Sequence, residues 1–99
     1  MRIVNFHEFC GLPDGTVFSY WEPCIASGLY RRGSVIQGVE GRPIDFFEAT
    51  LVAASYNGEF PVCELVESRW GMFDHDQLFL VYEPQDIAVI ADGLGIERQ

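Results

Sequence analysis

The chain has 99 residues and a mass of 11.2 kDa; 48% of its residues are hydrophobic and 21% charged. That composition folds, and a chain of this length buries about 60–65% of its unfolded surface, enough for one core. A two-lobed enzyme with a deep interdomain cleft is therefore excluded, and residues 1–99 are read as a single domain.

Fifteen acids against six arginines and no lysine leave a net charge of −9. This opposes direct, sequence-independent nucleic-acid binding and docking on anionic membrane, both of which need a basic footprint. The charge is also lopsided. In residues 1–44 four acids and four arginines cancel; in residues 45–99 eleven acids face two arginines and carry the whole excess. An acidic surface keeps a small protein soluble, and it also steers a basic partner.

No apolar region follows Met1-Arg2-Ile3-Val4-Asn5, so no signal peptide is expected. Apolar runs such as Leu78 to Tyr82 fall far short of the roughly 20 residues that span a bilayer. Cys10, Cys24 and Cys63 are an odd, widely spaced set and are read as reduced thiols in a cytoplasm.

In chain order, Asn5 to Gly11 reads as a short helix, capped by Asn5 with Glu8 three residues later and stopped by Gly11 and Pro13. Ile3, Phe6, Phe9 and Cys10 are expected on one side of it. Pro13-Asp14-Gly15 is a turn and Thr16 to Glu22 a strand ended by Pro23. A turn at Ser27-Gly28 leads into a strand at Leu29 to Arg32, and Gly33-Ser34 into a third at Val35 to Val39. Glu40 to Pro43 turns again and Ile44 to Glu48 is extended, whereas Ala49 to Ser55 suits strand or helix. Tyr56-Asn57-Gly58-Glu59 is a turn. Pro61 to Ser68 is a strand, and Arg69 to Gln77 an exposed loop. Leu78 to Tyr82, apolar on both faces, is the expected central strand. Pro84 opens the clearest helix, with Ile87, Ile90, Ala91 and Leu94 spaced for one face; Ile87, Ile90 and Leu94 are expected to be buried. The expected class is α+β: a small curved antiparallel sheet or partly open barrel of about five strands, with a short N-terminal helix and a C-terminal helix.

Each candidate for chemistry has a plain alternative. His7-x-x-Cys10 has the spacing of two ligands on a helical face, but a structural zinc site shows paired ligands twice, and a core cysteine beside a surface histidine is the simpler reading. Asp74-His75-Asp76 offers cation ligands or a solvated turn. Gly93-x-Gly95 follows a helix and is a stop signal, not a phosphate cradle. Arg31-Arg32 splits across a strand, sending one arginine inward and one to water. With Trp21, Tyr30 and Phe46 nearby, the inward one would equip a pocket for a base and a phosphate; otherwise the aromatics are core. Arg69, Trp70, Met72 and Phe73 in a polar loop look like an interface hot spot or like the floor of the core.

The phrases Leu12-Pro13-Asp14-Gly15-Thr16-Val17-Phe18, Tyr20-Trp21-Glu22-Pro23-Cys24 and Asp45-Phe46-Phe47, with the ending from Leu78 to Ile87, resemble those of small bacteriophage proteins of the host-takeover, anti-defence type. The likeness spans much of the chain and includes no motif for a particular activity. It implies an anti-CRISPR-like inhibitor, not an enzyme, acting in the bacterial host cytoplasm by covering a protein surface or by taking up a nucleotide signal.

Two functional expectations result, neither with a cofactor or a metal. In the first, Arg69, Trp70, Phe73, Asp74 and Asp76 contact a basic, nucleic-acid-binding surface of a host defence protein. In the second, Trp21, Tyr30, Arg31, Arg32 and Phe46 line a pocket that sequesters a nucleotide-like small molecule without turnover.

Overall fold

A computed structural model of the chain describes residues 1–54 and 64–96. The turn expected at Tyr56 to Glu59, the start of the strand expected from Pro61, and Cys63 lie outside the described residues. Within them the fold is α+β, an open antiparallel sheet of six strands with a helix near each end of the chain.

Strand β1 (Arg2–Val4) comes first, before helix α1 (Phe6–Cys10). The Asn5 side chain accepts a hydrogen bond from the Glu8 N–H at 2.8 Å, satisfying a donor that a helix start leaves free. Phe6 and Phe9 are buried and Cys10 is half-buried. Ile3 does not join them. The chain is extended at this point, and Ile3 sits in β1 opposite Leu80 with its side chain exposed.

Strand β2 (Val17–Glu22) turns at Pro23-Cys24 into β3 (Ile25–Gln37), a single strand of 13 residues. The breaks expected at Ser27-Gly28 and Gly33-Ser34 are bulges inside it, the first marked by a register shift against β2 and the second by one against the next strand. Gly28 has φ +70°, and a Cβ there would stand 2.4 Å from the Tyr30 ring, so the glycine admits that ring rather than a chain reversal. The reversal falls instead on Cys24, itself at φ +70°.

Strand β4 (Pro43–Val52) takes in residues 49–52, the start of the segment whose composition suits strand or helix, and Ala49 is buried in it. Strand β5 (Glu64–Arg69) pairs with β4, and β6 (Leu78–Tyr82) lies between β1 and β2. The order is β1-β6-β2-β3-β4-β5, with every neighbouring pair antiparallel. The strands expected at Leu29 to Arg32 and Val35 to Val39 are one strand, β3, and β1 is the strand that the sequence does not announce. The expected central strand, β6, is interior but only second from an edge.

Four phenylalanines with no solvent exposure, Phe9, Phe18, Phe46 and Phe79, form the core's centre. Phe9 stacks on Phe79 with centroids 4.1 Å apart and meets Phe18 and Phe46 edge-on. Such pairs add about 0.5–1.5 kcal/mol each beyond the area they bury.

Helix α2 (Pro84–Gly93) starts as its sequence dictates, with Pro84 in the first turn and the Asp86 carboxylate accepting from the Glu83 N–H at 2.8 Å. Its burial does not follow its periodicity. Ile87 and Ile90 are 37% and 39% exposed and Leu94 is 70% exposed, and no residue of α2 is buried. The core is complete without an α2 side chain, so the apolar stripe stays at the rim. Among the described residues no helix is long and apolar enough to cross a membrane.

Candidate functional site

A cleft of about 310 Å³ opens where β2, β3 and β4 meet the loop before β6. Its lining includes Tyr20, Glu22, Glu48, Trp70, Met72 and Asp74. Three of these six residues are acidic, and two present aromatic rings.

The loop that forms one wall is tied down by Asp45, which has no solvent exposure. The Asp45 carboxylate accepts from the backbone N–H of Phe46 at 2.8 Å and of Gly71 at 2.9 Å, and pairs with the Arg69 guanidinium at 2.7 Å. Burial alone would raise this carboxyl. The two backbone donors and Arg69 outweigh it and hold the group below the usual carboxylate range. The Trp70 N–H donates to the Phe46 carbonyl at 2.9 Å, and the indole stacks on Phe46 and Phe6. So anchored, the loop presents Met72 and Phe73 to solvent, 70% and 54% exposed, with Phe73 at φ +52°.

Deeper in the cleft the Tyr20 hydroxyl donates to the Glu48 carboxylate. Burial raises the Glu48 carboxyl above its usual range, against the opposing effect of that hydrogen bond and with Asp45 adding to the rise. Burial first, then the Glu48 charge, pushes the Tyr20 hydroxyl far above the usual phenol range. Glu22 and Asp74 stand exposed at the rim. Carboxylates above an aromatic and thioether wall suit a guanidinium or ammonium group, which takes charge-assisted hydrogen bonds at its head and ring contact along its stem.

Of the residues expected at a partner surface, Asp74 lines this cleft and Trp70 forms its floor, only 7% exposed. Trp70 is thus a core residue, because its ring completes the Phe6–Phe46 stack. The Arg69 guanidinium is engaged by Asp45. Asp76 lines a different depression, and Phe73 is exposed on the loop beside the cleft. Among the described acids of the second half, Asp45 is engaged by Arg69 and Asp86 by the N-terminal ammonium, 2.6 Å away, so neither is free for a partner.

The residues of the expected arginine and aromatic pocket are not brought together around a space. Phe46 and Tyr30 are core. Arg31 and Arg32 split as the strand rule requires, Arg31 exposed and Arg32 1% exposed. No anion is needed to satisfy the inward guanidinium. It donates to the carbonyls of Phe9, Leu12 and Gly33 at 2.6, 2.7 and 3.1 Å and to Asp14 Oδ1 at 2.8 Å, and it lies over the Phe9 ring. Trp21 pairs with Ala26, four positions along β2 from Val17, which faces Arg31.

Tyr20 and Glu48 are not among the residues that the sequence points to. Asp45 and Glu48 are the two acids inside the otherwise largely apolar run from Ile44 to Val52, and that is the signal for Glu48; its pairing with Tyr20 depends on bulges that alternation does not show. Cys10 is held as a thiol, its pKa pushed up to about 11 mainly by burial. Among the described residues no group of three His, Cys, Asp or Glu side chains is placed to hold a metal ion.

The chain matches no family model, no curated protein and no solved structure.

Proposed function

We propose that this protein is a non-catalytic binding protein that docks on a basic protein surface, with the cleft between Tyr20, Glu48 and the Trp70–Asp74 loop receiving an arginine or lysine side chain. One observation carries the reading. The cleft joins three carboxylates to an aromatic floor, next to a loop that exposes Met72 and Phe73. Apolar anchors beside charge-assisted contacts are the pattern of an interface centre. The net charge of −9 supports fast, steered association with a basic partner. The resemblance to phage host-takeover proteins supports a nucleic-acid-binding face of a bacterial defence protein as that surface, with the carboxylates standing in for phosphates, in the host cytoplasm.

The test is affinity capture from bacterial lysate at low ionic strength, followed by mass spectrometry, with the wild-type chain and with the double variant Glu22→Lys/Asp74→Lys. A basic protein retained by the wild type, released by salt and lost in the variant is the expected result. Equal capture by both chains, or no specific partner at low salt, removes the cleft from the account.

A further inference from the structure

Strand β5 is one edge of the sheet, and half of its main chain is spent on β4. The Trp70 N–H donates to the Phe46 carbonyl at 2.9 Å, and the register sets Ser68 opposite Glu48 and Glu67 opposite Ala49. Hydrogen-bonded and open pairs alternate along an antiparallel ladder, so Ser68 turns its N–H and C=O to β4 while Glu67 and Arg69 turn theirs outward. Among the described residues no group meets those outward donors and acceptors.

Sheet edges are commonly closed to other strands by brevity, by a proline or by a charge that stands in the way. The opposite edge, β1, is brief, with 3 residues. Strand β5 has 6 and no proline. The Glu67 side chain is exposed, but it is laid inward across the sheet: a Cβ on Gly33 of β3 would collide with its carboxylate. It therefore leaves the outward main chain uncovered, and no ion pair holds it among the described residues. Arg69, on the same face, is engaged by Asp45. Val66 and Ser68 lie on the other face, the one that carries Glu48, and Val66 is 77% exposed.

We propose that β5 takes up an extended segment of the basic partner as a further antiparallel strand, with a lysine or arginine opposite Glu67 and apolar residues on either side of it, facing Val66 and Ser68. Main-chain hydrogen bonds to Glu67 and Arg69 hold the segment, and the alternation of its side chains matches the two faces of the edge. A second copy of this chain fits worse, because both edges would bring Glu67 and both molecules a charge of −9. The inference rests on the reading of a basic partner and names the part of it that docks; it does not rest on the cleft.

The probe is the peptide acetyl-Thr-Val-Lys-Val-Thr-amide, titrated into the full chain at low salt and followed by NMR shifts and amide hydrogen exchange. Binding that slows exchange of the Glu67 and Arg69 N–H groups is the expected result. An N-methyl group on the peptide's lysine, whose N–H faces the edge, should weaken binding about tenfold or more, whereas one on the second valine, whose N–H faces away, should leave it unchanged. Glutamate in place of the lysine should weaken it about fivefold or more. Glu67→Pro removes an outward N–H without touching the bonds to β4, and should abolish binding with the fold retained. Absence of binding, equal binding of the two N-methyl peptides or wild-type affinity in Glu67→Pro overturns the proposal. So does a dimer in light scattering that Glu67→Pro dissolves, since a second copy then holds the edge. Capture of a basic protein from lysate without any binding of the peptide rejects the edge and keeps the basic-partner reading; loss of both rejects both.

Discussion

Helix α1 spans five residues and buries two aromatic rings, whereas α2 spans ten and buries none. The longer helix has the clearer apolar periodicity, the better start signal and the proline at its first turn, yet it sits at the rim. The shorter helix is held from outside itself: the Arg32 guanidinium reaches the carbonyls of Phe9 and Leu12, and Phe9 stacks on Phe79. Periodicity reports that a segment is helical and amphipathic. It does not report which surface covers the apolar stripe, since that depends on how much core other elements have filled.

The largest expected loss is at the α1 end. Phe9→Ala removes a ring with no exposure that meets three aromatic rings, Phe18, Phe46 and Phe79, and lies under the Arg32 guanidinium, and should cost about 3–5 kcal/mol in urea unfolding. Arg32→Met keeps length and apolar stem but leaves buried carbonyls without donors. It should cost about 2–4 kcal/mol, and a neutral result would mean that α1 docks through its rings alone. Asp45→Asn should cost about 2 kcal/mol at neutral pH by weakening the tie to Arg69 and Gly71. The folded-state pKa of Asp45 lies below the ordinary value of 3.8, so its stabilisation is complete above that value and is lost as pH falls through the depressed one. The gap between wild type and Asp45→Asn should therefore hold near neutrality and close in acid. Ile90→Ala in α2 should cost only about 1 kcal/mol, because the side chain is already 39% exposed. A loss as large as that of Phe9→Ala would show that the α2 stripe is covered in solution and would erase the contrast between the helices.

The same contrast separates what was legible in the sequence from what was not. Asn5, Pro84 and Gly15 act within a few residues of themselves, and the elements they start or turn are where the sequence places them. Val17 to Glu22 and Leu78 to Tyr82 are strands, as their residue types require. Longer-range facts were hidden. Gly28 and Gly33 look like turns, but they are bulges that admit Tyr30 and Glu67 side chains. Arg2 to Val4 is too short to announce a strand and becomes one by pairing with β6. At the candidate site, the acids and the Trp70 loop could be picked out, but the sharing of one cleft by Glu22, Glu48 and Asp74 is a product of sheet register. That Arg31 and Arg32 split between inside and water was legible; that Arg32 is the inward one, and that backbone carbonyls satisfy its guanidinium, was not.

The central claim is that the acidic cleft, rather than any arginine, makes the contact with a basic partner. The direct measurement is the association rate of the captured partner as a function of ionic strength, for the wild-type chain and for Glu22→Lys/Asp74→Lys. Exposed charges act mainly on encounter. The account predicts a wild-type rate that falls steeply with salt, and a variant rate about tenfold lower at low salt and nearly flat, with the melting temperature unchanged. Identical rates and salt slopes for the two chains, with binding lost instead in Arg31→Ala, would contradict it.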